Sequence, residues 1–152
     1  MTAPEPTVLV PAGLPIEAAA RWVGGSCHAE LELFSLITAV MPAAGPGPSK
    51  ALWGVRAHRA EAAEAWHRRL PELREMPRER FVESAASEPG SGTFSADVAG
   101  VADALRTLID RYEKWESVAV GPADGPTAAT LQRALRIARE DLHRLTGEGE
   151  LS

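Results

Sequence analysis

Cysteine is almost absent from this sequence: 152 residues contain one thiol, Cys27. A lone cysteine excludes an internal disulfide and a thiolate zinc site, and it suits a reducing cytoplasm. An excess of basic charge is lacking too. Sixteen Lys and Arg stand against 21 Asp and Glu, a formal net charge of -5, whereas a general nucleic-acid binder needs a concentrated basic surface to neutralise phosphates. Arg133, Arg136, Arg139 and Arg144 do cluster, but acidic neighbours dilute them. No apolar run approaches the roughly 20 residues of a membrane span, and the opening MTAPEPTVLVPAGLP has no basic segment followed by an apolar core, so it does not read as a signal peptide. No nucleophile triad stands out, and the turn Gly45-Pro-Gly-Pro-Ser49 is too rich in proline, which lacks the amide donor, to cradle phosphate.

What remains is 45% hydrophobic and 24% charged, the composition of a single domain with its own core. Four prolines in the first 15 residues predict an extended arm over 1–15. A helical domain is then expected over 16–147, with 148–152 as a tail. Helix one runs from Ile16 to Met41, with a kink or restart at Gly24-Gly25 and Ser26 as cap. After the breaker Pro42 to Pro48, Ser49 caps a second helix that Pro71 ends near Leu70. A long connection to about Ser95 has room for one helical turn. Helix three follows over Ala96 to Val118, and Thr127 opens a fourth that ends near Thr146-Gly147. The fold class is therefore all-α, a four-helix bundle of two antiparallel hairpins. A connection of about 25 residues can cross the length of a bundle, as in ferritin-like folds, or can be merely loose in an up-down bundle.

Helical periodicity at about 100° per residue assigns the faces. Helix one collects Trp22, Val23, Ser26, Glu30, Leu33, Ile37 and Met41 on one side, and an inward carboxylate such as Glu30 needs a partner. Helix two turns Leu52, Val55, Ala63, Trp66 and Leu70 inward together with Arg59. Across a hairpin turning near Gly45, Glu30 comes level with Arg59, and a buried ion pair between them is expected. Helix three presents Val101, Leu105, Leu108, Ile109, Tyr112 and Trp115; helix four presents Leu131, Leu135, Ala138, Leu142 and Leu145. Trp22, Trp53, Trp66 and Trp115 read as core anchors. Trp22, Trp66, Tyr112 and Trp115 are also the candidates to line an apolar pocket between the helices.

Two Glu-x-x-His motifs, Glu64/His67 and Glu140/His143, have the spacing that carboxylate-bridged di-iron bundles use on two of their helices. Their rotation is unfavourable. Glu64 falls about 150° and Glu140 about 180° from the apolar centre of its helix, so both read as charges on solvated faces.

Taken together, RWVGGSCHAELELFSLITAVMP, AHRAEAAEAWHRRLPEL, LIDRYEKW and PTAATLQRALRIARED resemble a group of actinobacterial ferritin-like proteins of undefined activity, over residues 20 to 145. The group carries a His-Ala-Glu-Leu-Trp element before Arg-Leu-Pro; here Glu64 and Arg69-Leu70-Pro71 match it and Ala62 replaces the histidine. The resemblance implies a ferritin-like fold without a full di-iron ligand set. The full set, carried over from di-iron relatives, would be Glu30, Glu64, His67, Glu113 (or Asp110), Glu140 and His143, binding iron. The expected function is a binding or accessory protein for an apolar small molecule or a protein partner, with an absent or degenerate metal centre. The alternatives are a di-iron oxidase or oxygenase and a structural homodimer.

Overall fold

The computed structural model describes residues 16–71, 77–87, 93–116 and 125–147. The expected arm over 1–15 and tail over 148–152 lie outside the described residues. Among the described residues the chain is all-helical, with no strand and with five α-helices: α1 Ile16–Val40, α2 Pro46–Arg69, α3 Arg78–Glu83, α4 Val98–Glu116 and α5 Gly125–Thr146. Short 3-10 turns follow α1 and α3. No helix is long and apolar enough to cross a membrane among the described residues.

The helix ends follow from their cap residues. α2 starts ahead of the expected Ser49, because Gly45 takes φ 84° and Pro46 then occupies the first helical position, where a missing amide N–H costs nothing. Ser49 is already inside the helix, its amide bonded to the Gly45 carbonyl at 3.0 Å. Leu70 is extended, at φ -74° and ψ 139°, as a residue before proline must be. At α4 the Asp97 carboxylate accepts the Gly100 amide at 2.8 Å and the Ser95 hydroxyl at 2.9 Å. These bonds hold its carboxyl below the usual range. Gly147, at φ 74°, closes α5 through its amide to the His143 carbonyl at 2.7 Å.

α1 lies against α2 and against α4; α5 lies against α4 and against α2. The α1–α2 pair is antiparallel, since Cys27 reaches Ala63, Glu30 reaches Arg59 and Thr38 reaches Arg56. The core between the helices contains Leu33 and Ile37 of α1, Leu52, Val55 and Trp66 of α2, Leu105 and Tyr112 of α4, and Leu131, Leu135 and Ala138 of α5, all at most 4% exposed. Burial of each large apolar side chain contributes about 1.5 to 3 kcal/mol. Two expectations need correction. Trp53 is 64% exposed and lies beneath the Arg56 guanidinium at 5.7 Å, so it is not a core anchor. And α1 runs unbroken through Gly24-Gly25, so it does not restart there.

Those two glycines serve close approach instead. The short α3 in the connection packs Phe81, 1% exposed, against α1. A Cβ on Gly24 would sit 2.5 Å from the Phe81 carbonyl oxygen. A Cβ on Gly25 would meet the Arg111 guanidinium at 2.7 Å. Ser26, expected as a cap, accepts a hydrogen bond from Arg111 Nε at 3.0 Å. Gly24→Ala should therefore destabilise the fold by about 1 to 3 kcal/mol in denaturant titration, the cost of forcing apart packed backbone. Gly54→Ala, on α2 with nothing within 4 Å of the added carbon, should stabilise it by up to about 1 kcal/mol; equal effects at the two sites would refute the close-approach account.

Candidate functional site

Each of the four long helices places a polar side chain at one buried level: Glu30 from α1, Arg59 from α2, Tyr112 from α4 and Asp141 from α5, all 0% exposed. Arg59 stands at the middle. Its Nη1 donates to Glu30 Oε1 at 2.9 Å and its Nη2 to Asp141 Oδ2 at 3.1 Å. The other Glu30 oxygen accepts from the Tyr112 hydroxyl at 2.5 Å, and that hydroxyl in turn accepts from Trp66 Nε1 at 2.9 Å. Asp141 Oδ1 takes Arg144 Nη1 at 2.9 Å, and both its oxygens lie 2.9 Å from His58 Nδ1. Arg59 Nε is buried with no partner among the described residues.

The arrangement is a matter of charge compensation. A planar guanidinium carries a fixed fork of donors, and here it is shared between two carboxylates from different helices. Because Glu30 receives only part of that positive charge, its burial dominates and pushes its carboxyl above the usual value of 4.5, against the opposing pull of Arg59 and Tyr112. Burial likewise holds the Tyr112 phenol well above its ordinary range, with the Glu30 charge adding to it. Cys27, whose thiol donates to the Ala63 carbonyl at 3.4 Å, is pushed up to about 11, first by burial and then by Glu30. A thiol held so high is a poor nucleophile at neutral pH.

The structure brings Glu30 and Arg59 together but does not gather the six residues of the alternative iron set. Of these only Glu30 reaches the centre. Glu64 pairs with Arg68 at 3.1 Å on the surface of α2, His67 lies 3.4 Å from Glu79, Glu113 pairs with Arg139 at 2.6 Å, and Glu140 faces Arg136 at 3.8 Å. His143 is half-buried near the end of α5. Among the described residues no group of three or more His, Cys, Asp and Glu is assembled at metal-binding spacing.

The aromatic residues are brought together as packing partners. Trp22 meets the edge of Trp66 at 5.1 Å and lies 4.9 Å from Trp115, while Trp66 and Tyr112 are 5.8 Å apart. Trp22, Trp66 and Tyr112 are at most 5% exposed, so these rings fill one another's space. An open cavity lies elsewhere: a groove of about 520 Å³ between α2 and α5. Ala62, Ala65, Ala134 and Ile137 form its apolar lining, with His58, Glu61 and Arg133 among its polar ones. Its size is within the range of small-molecule sites.

Asp141 is the residue that periodicity should have found. It lies three positions after Ala138 and seven after Ala134, both buried, and so on the inward stripe of α5. The neighbouring Glu140 has the Glu-x-x-His spacing but faces outward, near Arg136. No family model, no curated protein and no solved structure matches the chain.

Arg59→Leu leaves Glu30 and Asp141 buried without their shared cation and should cost about 3 to 5 kcal/mol, read as a lowered melting temperature; an unchanged melting temperature would refute the network's role. Glu30 gives a pH signature of definite sign. Its folded carboxyl binds protons more tightly than the unfolded one, so the native state holds the extra proton and stability falls as pH rises from 4.5 through the folded value. In Glu30→Gln that portion of the decline should vanish when unfolding free energies are measured across pH.

Proposed function

We propose that the chain is a ferritin-like four-helix bundle in which a guanidinium takes the central position that a metal would occupy, and that it acts as an accessory protein by holding a small molecule between α2 and α5. Contact order along the helices supports the ferritin-like crossover. Trp22 meets Trp115 while Ser26 meets Arg111, so numbering falls along α4 as it rises along α1. It falls along α2 in the same sense, which makes α2 and α4 parallel and requires the connection from Pro71 to Asp97 to span the bundle. A single reduced thiol suits a cytoplasmic setting.

The observation that carries the reading is Arg59 between Glu30 and Asp141. Di-iron bundles aim carboxylates and histidines from all four helices at their axis. Here the axis has carboxylates from α1 and α5, but a fixed cation already joins them. Both Glu-x-x-His motifs are engaged outside the centre, which removes support from the oxygenase alternative. With the aromatic rings packed on one another, the groove between α2 and α5 is a concavity open to a ligand among the described residues. Ala62, where the resembling group carries a histidine, keeps its lining low.

A thermal-shift screen of a small-molecule panel against the wild type and Ala62→Trp tests this. Compounds that raise the melting temperature of the wild type should lose their effect when the indole fills the groove. A panel in which no compound separates the two proteins overturns the reading.

A further inference from the structure

The groove has unlike ends. On α2, His58 and Glu61 lie one turn apart and both line it. His58 Nδ1 is held 2.9 Å from both oxygens of the buried Asp141. The tautomer that donates from Nδ1 to this carboxylate has Nε2 as an acceptor. Glu61 is exposed and has no ion-pair partner among the described residues. One end of the groove therefore offers a carboxylate and an imidazole lone pair, both seeking donors.

The other end is the reverse. Arg133 of α5 also lines the groove, is exposed, and has no ion-pair partner among the described residues. Of the other charged residues of the lining, Glu64 and Arg68 pair with each other at 3.1 Å, and Arg59 is committed to Glu30 and Asp141. Asp141 lies beside His58, and both Arg68 and Thr130 line the groove, which fixes an antiparallel register in which Arg133 stands level with Trp66. At 1.5 Å of rise per residue, the acceptor end and Arg133 are then about 10 Å apart along the helices. Between them run Ala62, Ala65, Ala134 and Ile137.

We infer that the groove binds an elongated aliphatic zwitterion, its ammonium at Glu61 and His58 Nε2, its carboxylate at Arg133 and its methylene chain over the alanines. This rests on the groove reading above and specifies its ligand class. The ammonium supplies the donors that Glu61 and His58 lack, the carboxylate accepts the guanidinium fork, and the chain covers apolar surface that would otherwise face water.

Isothermal titration of the full chain with ω-aminooctanoate, whose extended chain has about that length, tests the inference against octanoate and octylamine. The amino acid should bind at least about tenfold more tightly than either single-headed analogue. Glu61→Gln should weaken ω-aminooctanoate and octylamine but not octanoate, and Arg133→Gln should weaken ω-aminooctanoate and octanoate but not octylamine; both positions are exposed, so folding is preserved. Equal affinity for octanoate and ω-aminooctanoate, indifference to both substitutions, or no binding of any of the three overturns the zwitterion. If it fails while other compounds still separate the wild type from Ala62→Trp, the groove reading stands without it; if none does, both fall.

Discussion

The Arg59 guanidinium, clamped between the carboxylates of Glu30 and Asp141, is the constraint on which the rest of the structure depends. Three helices are fixed by this one group, α1 and α5 through the carboxylates and α2 through the arginine itself. The fourth, α4, is tied in through Tyr112 on Glu30. A buried ion network is not in itself a source of stability, because desolvating the charges offsets much of their attraction. Its consequence is specificity. Sliding α2 by one turn would take from Glu30 and Asp141 their shared cation and leave the guanidinium in an apolar core without either carboxylate, a far larger penalty than a slipped leucine. That penalty selects one register for a bundle whose second helix, rich in alanine, has few large side chains to select it by packing.

Much of this was legible in the sequence because charge on an apolar stripe is conspicuous. Glu30 among Val23, Leu33 and Ile37, and Arg59 among Leu52, Val55 and Trp66, could be seen as inward, and the hairpin at Gly45 put them level. The extents of the long helices were legible for the same reason, since breakers and periodicity agree there. The rest was hidden by particular physical causes. Gly24 and Gly25 read as helix breakers, but their lack of a Cβ serves the approach of Phe81 and Arg111, and that need arises only from the tertiary fold. Trp53 read as core by residue type, although helix rotation turns it outward beneath Arg56. Asp141 was overshadowed by the motif that begins one residue earlier.

The two Glu-x-x-His motifs show why spacing alone is weak evidence. Three residues separate neighbours on any helix face, and an Ala/Glu/Arg-rich helix places acids and imidazoles at that spacing on its solvated side as readily as on its buried one. Glu64 and Glu140 each sit near an arginine one turn on or one turn back, the ordinary surface arrangement. The buried acid of α5 is instead Asp141, about 100° around the helix from Glu140. Rotation, not spacing, decides which carboxylate reaches the axis.

Asp141 also joins the closed centre to the open groove. One of its oxygens faces Arg59 in the core, and both hold His58, whose ring lines the groove. The imidazole that a ligand would meet is therefore positioned by the same carboxylate that completes the helix clamp. A change at Arg59, which itself lines the groove beside His58, leaves Asp141 to pair with His58 and Arg144 alone. The groove wall and the axis thus share a single buried side chain, a connection that a wholly apolar core could not supply.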